Sequence, residues 1–548
     1  MKLRIKSGDD QIMSSMTDYK YWSLALSITC IKVLLMKSYH STDFEVHRNW
    51  LSITHNLPIS QWYYESTSEW TLDYPPLFAW FELLLAKFAH YFDENMLQIS
   101  ANGYISDKTI VFQRLTVIAT DFVYFYAVLQ WCQTIAKLKI RFSKQFIYDQ
   151  WFHPNVILAM LFLWNPGLLL VDHIHFQYNG ILSGILLLSM ARVIQKRELE
   201  AAFWFAVLLN MKHIYVYISP AFFVYLLRNY CFDRHLNFKA TNFAKLALIV
   251  SSVFAASFGP FLALGQMRQL MARLFPFKRG LSHAYWAPNF WALYNSADKV
   301  LGFSLKASPG ANASMTSGLV QQYDHQVLPN ITPIVTFVLV IVAIVPSMSF
   351  LWRRSHQNYS QILFLRCVVM CAFSSYVFGW HVHEKAILLI TIPLTPLAMV
   401  SKWDAKMFNM VSVVGNYSLF PLLFKEAETL TKILLLVIYS VYSFKSLEIH
   451  HKISANKFEN SFPLMNFLET IYLLGLIGIQ LIYSLCPLFN VCQRYPFVPL
   501  MTTSFYCSLV LVRFELRTKT YESPPKKGRG PTIEKATNDE VQPMIQRG

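Results

Sequence analysis

Fourteen apolar stretches organise this chain, near 21–36, 111–135, 155–171, 180–195, 199–211, 214–227, 246–266, 331–352, 362–378, 386–400, 408–424, 432–445, 465–487 and 497–515. A helix needs about 20 apolar residues to cross the hydrocarbon core of a bilayer. The pattern predicts an all-α polytopic membrane protein with about 14 transmembrane helices. Composition agrees, with 54% hydrophobic and only 15% charged residues, where soluble domains carry about 25% charged residues. No small-residue cleavage site follows the first stretch, which is read as a retained span rather than a signal peptide.

Net charge is +16, from 48 basic and 32 acidic residues. The basic residues sit in short runs between apolar segments, the positive-inside pattern of membrane proteins, which argues against nucleic acid as the partner. Lys2, Arg4, Lys6 and Lys20 put the N-terminus in the cytosol, and alternate loops then carry Lys137-Lys139-Arg141-Lys144, Arg192-Lys196-Arg197, Arg228-Arg234-Lys239-Lys245, Arg353-Arg354, Lys402-Lys406 and Lys445-Lys452-Lys457. Both termini are expected in the cytosol, with residues 1–515 forming one transmembrane domain and 516–548 a disordered tail. The opposite face receives 38–110, 172–179, 212–213, 267–330 and 380–385. The eight cysteines show no zinc-type spacing; Cys486 and Cys492 flank one short loop and could bridge.

Those five segments hold most of the residues able to do chemistry. Asp43 and Glu45 lie just beyond the first span, where partial burial suits a carboxylate for general-base work, and Asp43 is the leading candidate. The same position also suits a helix N-cap. Trp62, with Tyr63, Tyr64, Glu65, Glu69 and Trp70, has the mixture of rings and carboxylates that stacks on sugars, although an interfacial aromatic belt uses the same residues. Pro75 and Pro76 hold Tyr74 extended, so that Asp73 occupies a fixed turn before an amphipathic stretch, Leu77–Phe92, expected to lie along the membrane.

DHIHFQYN, 172–179, is read as a polar cluster in which Asp172, His175 and Gln177 bind a substrate or orient one another. The pairs His173/His175 and His381/His383 lack a carboxylate triad or HExxH spacing, and no metal is expected. WHVHEK, 380–385, is expected to open a helix with His381, Glu384 and Lys385 on one face and its N-terminus towards a phosphate. Arg273, Lys278 and Arg279 form a basic loop on the face where topology disfavours positive charge, which suggests an anionic ligand. Lys212 stands at another span junction. Nucleotide-binding and common hydrolase motifs are absent, so no cofactor is expected. The chain also lacks the half-to-half repeat of many secondary transporters.

The blocks STDFEVHRNWL, LPISQWYYE, SEWTLDYPP, DHIHFQYNG, KHIYVY, RLFPFKRGL, YWAPNFWALYN, SMTSGLVQQ and GWHVHEKAILL closely resemble the endoplasmic-reticulum dolichyl-phosphate-glucose glucosyltransferases, multispan enzymes of the GT-C class. The resemblance implies a GT-C fold with a long first luminal loop and an α-1,3-glucosyltransferase active in the lumen. It implies dolichyl phosphate glucose as donor, a dolichyl-pyrophosphate oligosaccharide as acceptor, inversion at the anomeric carbon and no metal. It places the base on Asp43 and the donor phosphate against His381, Lys385, Arg273, Lys278 and Arg279. From the residues themselves, the acceptor and its sugars are expected against Glu45, Trp62, Asp73, Tyr74, Asp172, His175, Gln177, Lys212 and Glu384. KHIYVY, with Thr42 and His47 around the DFE block, looks more like the member that adds the second glucose than the one that adds the first. A lipid-sugar transporter with the same spans is the alternative of a different class.

Overall fold

The computed structural model describes residues 8–135, 150–275, 280–283, 285–305, 325–356, 359–451, 461–488 and 497–521. Each of the fourteen apolar stretches falls on helix. Seven helices are long and apolar enough to cross a membrane: Asp107–Ile135, Pro154–Phe176, Ala240–Ala263, Pro333–Arg354, Ser360–Phe378, Glu426–His450 and Phe467–Leu485. The other stretches are helical but shorter, as in Asn179–Ile194 and Glu198–Met211, or carry more charge, as in α1 (Gly8–Leu34) and Val498–Tyr521. Among the described residues no strand forms, only two isolated bridges, Phe232 with Phe238 and Ser282 with Val382.

Burial separates the roles of the spans. Pro154–Phe176 is 83% buried within the protein, whereas Ala240–Ala263 is only 11% buried. An apolar helix so bare against its own protein has a surface suited to lipid rather than water. The central packing joins α4 (Asp107–Ile135) to Asn179–Ile194. A Cβ added to Gly184 would stand 2.8 Å from the Tyr124 backbone nitrogen, so only glycine allows this approach of the two backbones. Buried in the same region, Lys32 Nζ of α1 lies 2.7 Å and His173 Nε2 3.0 Å from Asp121 Oδ2 of α4.

Two helices precede α4 on the first long segment. α2 (Thr42–Asn56) is capped by Ser41, whose Oγ accepts from Asp43 N–H at 3.2 Å. α3 (Pro76–Ala89) starts with proline at its first turn, where the missing N–H costs nothing, and buries Phe78, Ala79, Glu82, Ala86 and Ala89 on one face. The amphipathic stretch expected at Leu77–Phe92 is thus a helix ending three residues earlier.

α5 (Pro154–Leu163) stops before Pro166, and Asn165 Oδ1 accepts from Leu168 N–H at 3.3 Å to restart the winding. From Leu169 to Phe176 the turn widens to a π-type winding, a geometry common at functional sites. Arg114 of α4 holds its end, donating to Ile174 O at 2.8 Å and to Tyr39 O at 2.9 Å. The last helix continues to Tyr521, past the boundary expected at 515, because Glu515 is part of the core and accepts from Ser374 Oγ at 2.8 Å. Residues 522–548 lie outside the described residues. Cys486 is disulfide-bonded, while six other cysteines are free thiols.

Candidate active site

Asp43 stands in the first turn of α2 with 23% of its side chain exposed, and collects three contacts on one oxygen. Lys385 Nζ donates to Oδ2 at 2.7 Å, Gln177 Nε2 donates at 2.6 Å, and His175 Nε2 lies 3.3 Å away. Lys385 Nζ is also 3.3 Å from His175 Nε2. Burial pushes the Asp43 carboxyl up, but the Lys385 ammonium and the His175 imidazole outweigh it and hold the carboxyl well below the usual range. The side chain is therefore a carboxylate at neutral pH. Its Oδ1 makes no hydrogen bond within the described residues, which leaves a lone-pair site for a hydroxyl.

The N-cap alternative for Asp43 does not hold. Ser41 fills the cap, and its Oγ–H and N–H both donate to His175 O, at 2.7 and 2.9 Å, tying the start of α2 to the DHIHFQYN segment. Phe176 adopts a positive φ of 91°, rare for a bulky residue, and this turn lets His175 and Gln177 on either side of it both reach Asp43.

Behind this group runs a hydrogen-bond chain. Asn179 Nδ2 donates to Gln177 Oε1 at 2.8 Å and to Asp172 Oδ1 at 2.9 Å, and Lys212 Nζ donates to Asn179 Oδ1 at 3.2 Å. Asp172 also accepts from Gly180 N–H at 2.6 Å. Asp172 orients the segment rather than facing a ligand. Burial and the nearby Lys385 bring the Lys212 ammonium down to about 8. It stands 5.1 Å over the ring of Tyr74, which also packs against Trp50 and Phe78, among others. Asp73 lies close enough to Lys212 to act on its charge.

The 380–385 segment differs from its expectation. His381 has a φ of 50°, and regular winding begins only at Glu384, so His381, Glu384 and Lys385 do not share one helix face. The segment is instead a turn laid beside 280–282. His381 N–H donates to Leu281 O at 2.9 Å and His381 Nδ1–H to Gly280 O at 2.7 Å. Winding then runs from Glu384 to Met399 and starts as a tight 3-10 turn with His381 outside it, and the positive charge beside Asp43 comes from Lys385 itself.

Three further assignments change. Arg273 donates to Tyr63 O at 3.1 Å, Thr71 Oγ1 at 3.0 Å and Glu65 O at 3.4 Å, bracing the 63–71 loop rather than facing a phosphate. Trp62 is buried against Trp80, with its Nε1–H donating to Leu57 O at 3.0 Å, so it offers no face to a sugar. Glu45 pairs with Arg48 at 2.6 Å and accepts from Tyr104 N–H at 3.2 Å, away from Asp43. Lys278 and Arg279 lie outside the described residues. The pair His173/His175 is divided between Asp121 and Asp43, so it makes no joint metal site.

Sequence reading missed His283, which the fold brings 3.6 Å from Glu384. It also missed the Lys32–Asp121–His173 group, although ionisable residues inside apolar spans were a signal available in the sequence.

The sequence pattern of the ALG6, ALG8 glycosyltransferase family matches residues 28–517. The chain belongs to that family. This makes it a glycosyltransferase. The chain is 52% identical over 502 residues to a protein of Mus musculus named dolichyl pyrophosphate Glc1Man9GlcNAc2 alpha-1,3-glucosyltransferase, covering 89% of this chain and 92% of that one. Similarity extends to proteins of the same name in Bos taurus, at 51% with the same coverage, and Arabidopsis thaliana, at 41% over 89% of this chain and 94% of that one.

Proposed function

We propose that this glycosyltransferase moves glucose from dolichyl phosphate glucose to the monoglucosylated dolichyl-pyrophosphate oligosaccharide, in α-1,3 linkage and with inversion at the anomeric carbon. The names of the relatives support the acceptor and the linkage. One observation carries the mechanism: Asp43, His175, Gln177, Lys212 and Lys385 converge from four segments into one linked polar group. Charge counting puts all four segments on the same membrane face.

In the proposed transfer the acceptor hydroxyl gives its proton to Asp43 Oδ1 as its oxygen bonds to the anomeric carbon. The bond from that carbon to the phosphate oxygen breaks, and dolichyl phosphate leaves with the electron pair. Lys385 and His381, with Lys278 and Arg279 in the same role, stabilise the leaving anion, so the transfer itself uses no metal. A single base and a stabilised leaving group suffice for inversion.

The Lys385–Asp43 pair makes the base weak until the donor arrives. A phosphate on Lys385 draws the ammonium away from Asp43 and raises the basicity of the carboxylate at the moment it is needed. Donor binding and base activation are thereby coupled. The lipid tails place this chemistry at a membrane surface, the luminal face of the endoplasmic reticulum, with both termini in the cytosol.

The test is an assay of purified protein with dolichyl phosphate glucose and two lipid-linked acceptors side by side, one unglucosylated and one monoglucosylated. Diglucosylated product from the second acceptor is the expected outcome. Preference for the unglucosylated acceptor would transfer the assignment to the first-glucose reaction, and absence of any glycosidic product would overturn the reading in favour of a transporter.

A further inference from the structure

Beside Lys385, and not used by the transfer, lies a second cluster. Glu384 has 3% of its side chain exposed, and neither carboxylate oxygen accepts a hydrogen bond. A carboxylate so buried is costly unless it is paired or coordinates a metal. Nδ1 of His383 is likewise buried without a partner. The ring of His283 stands 3.8 Å from that of His383, centre to centre, and its Nδ1 is 3.6 Å from Glu384 Oε2. That separation is too long for a hydrogen bond. It is close to the edge of about 3.3 Å that a tetrahedron has when its ligand bonds are about 2.0 Å. One ligand atom from each of the three residues lies within 4.8 Å of the others.

We propose that His283, His383 and Glu384 bind a divalent cation of the zinc type. Two imidazoles and a carboxylate suit zinc, whereas magnesium and calcium favour oxygen ligands. The neighbouring ammonium of Lys385 has its charge met by Asp43 at 2.7 Å and so does not oppose the ion without compensation. A protonated His283 paired with Glu384 would account for one carboxylate oxygen, but not for the other or for His383.

The position gives the ion a purpose. His283 follows the stretch that pairs with the 381–382 turn through the Ser282–Val382 bridge and the two hydrogen bonds of His381. An ion shared by His283 and the 383–384 pair fastens these two segments where the chain turns to present Lys385. It acts on the position of Lys385 and His381, not on the reacting atoms. The spacing rules that recognise metal sites in sequence fail here because His283 and His383 are a hundred positions apart.

The test uses the full chain purified in detergent, stripped with chelator and reloaded with cobalt(II), whose visible absorption reports tetrahedral nitrogen and oxygen ligands, or with zinc, counted by elemental analysis. Exposed histidines bind metal weakly, so the decisive quantity is the difference from His283→Ala, a partly exposed residue whose loss leaves the core intact. Wild type is expected to hold one equivalent more than His283→Ala, with the tetrahedral cobalt band lost in the variant and in Glu384→Gln. Chelator is expected to lower the melting temperature of wild type and to leave that of His283→Ala unchanged. Equal metal content, equal cobalt spectra or an equal chelator response in wild type and His283→Ala would overturn the proposal and leave an ordinary histidine–carboxylate pair. Metal binding is the readout, so the result does not depend on whether glucose is transferred.

Discussion

Lys385 Nζ rests 2.7 Å from Asp43 Oδ2, across 342 positions of sequence. The pair joins the first turn of α2 to the 380–385 turn, and it sets one charge against the other. Its consequences are measurable.

Asp43→Asn is expected to fold normally, since Ser41 rather than Asp43 caps α2 and the amide keeps the shape. Turnover should fall by about 10²- to 10⁴-fold, the usual loss when a general base is removed. Glu45→Gln, whose partners are Arg48 and Tyr104, should keep turnover within a few-fold of wild type. Initial rates at matched protein levels decide; near-normal turnover of Asp43→Asn removes it from the mechanism.

Lys385→Met should cost about 2–4 kcal/mol of transition-state stabilisation, by removing a charge from the leaving phosphate. It should also alter the pH profile. Lys385 is the main influence holding the Asp43 carboxyl down against burial, so without it the carboxyl protonates at higher pH. The acid limb of kcat/KM, which reports the free enzyme, should therefore move to higher pH in the variant. An acid limb that stays in place would separate the two residues functionally.

Arg273→Ala should lower stability and spare the donor. Its three hydrogen bonds to Tyr63, Thr71 and Glu65 are worth about 1–3 kcal/mol together in this partly exposed setting. The melting temperature should drop while the apparent KM for dolichyl phosphate glucose is unchanged. A raised donor KM at unchanged stability would return Arg273 to the phosphate site.

Breaking the buried Lys32–Asp121 pair should be expensive, because the Asp121 charge is then left with only the His173 imidazole at 3.0 Å. Lys32→Met alone is expected to lose about 3–5 kcal/mol. Lys32→Met combined with Asp121→Asn should be more stable than Lys32→Met alone, as no unpaired charge then remains. Thermal unfolding in detergent compares them directly.

Topology is tested at Ser66, an exposed residue of the first long segment. Ser66→Cys should react with an impermeant thiol reagent only after the lumen of sealed microsomes is opened. Labelling from the cytosolic side would reverse the orientation.

Much of this protein is legible in its sequence because hydrophobic length is a local property. Fourteen apolar stretches are enough to place helices, since a chain in hydrocarbon has to satisfy its own backbone. Asp43, His175, Gln177 and Lys385 stand out for a related reason: ionisable and amide side chains at the ends of apolar segments have few structural uses. What each such residue contacts is another matter. Arg273 and Lys385 are both cations beside apolar helices, yet one braces backbone carbonyls and the other meets the Asp43 carboxylate. Trp62 has the composition of a sugar platform and the burial of a core residue. His283 carries no local signal, and its neighbours His383 and Glu384 come from a turn a hundred residues later. The sequence by itself determined the helices, the membrane class and the candidates at the segment ends. Only the tertiary structure decided which candidates meet, because contacts between distant positions depend on how the helices pack and on strained turns such as those at Phe176 and His381, whose positive φ values no local pattern announces.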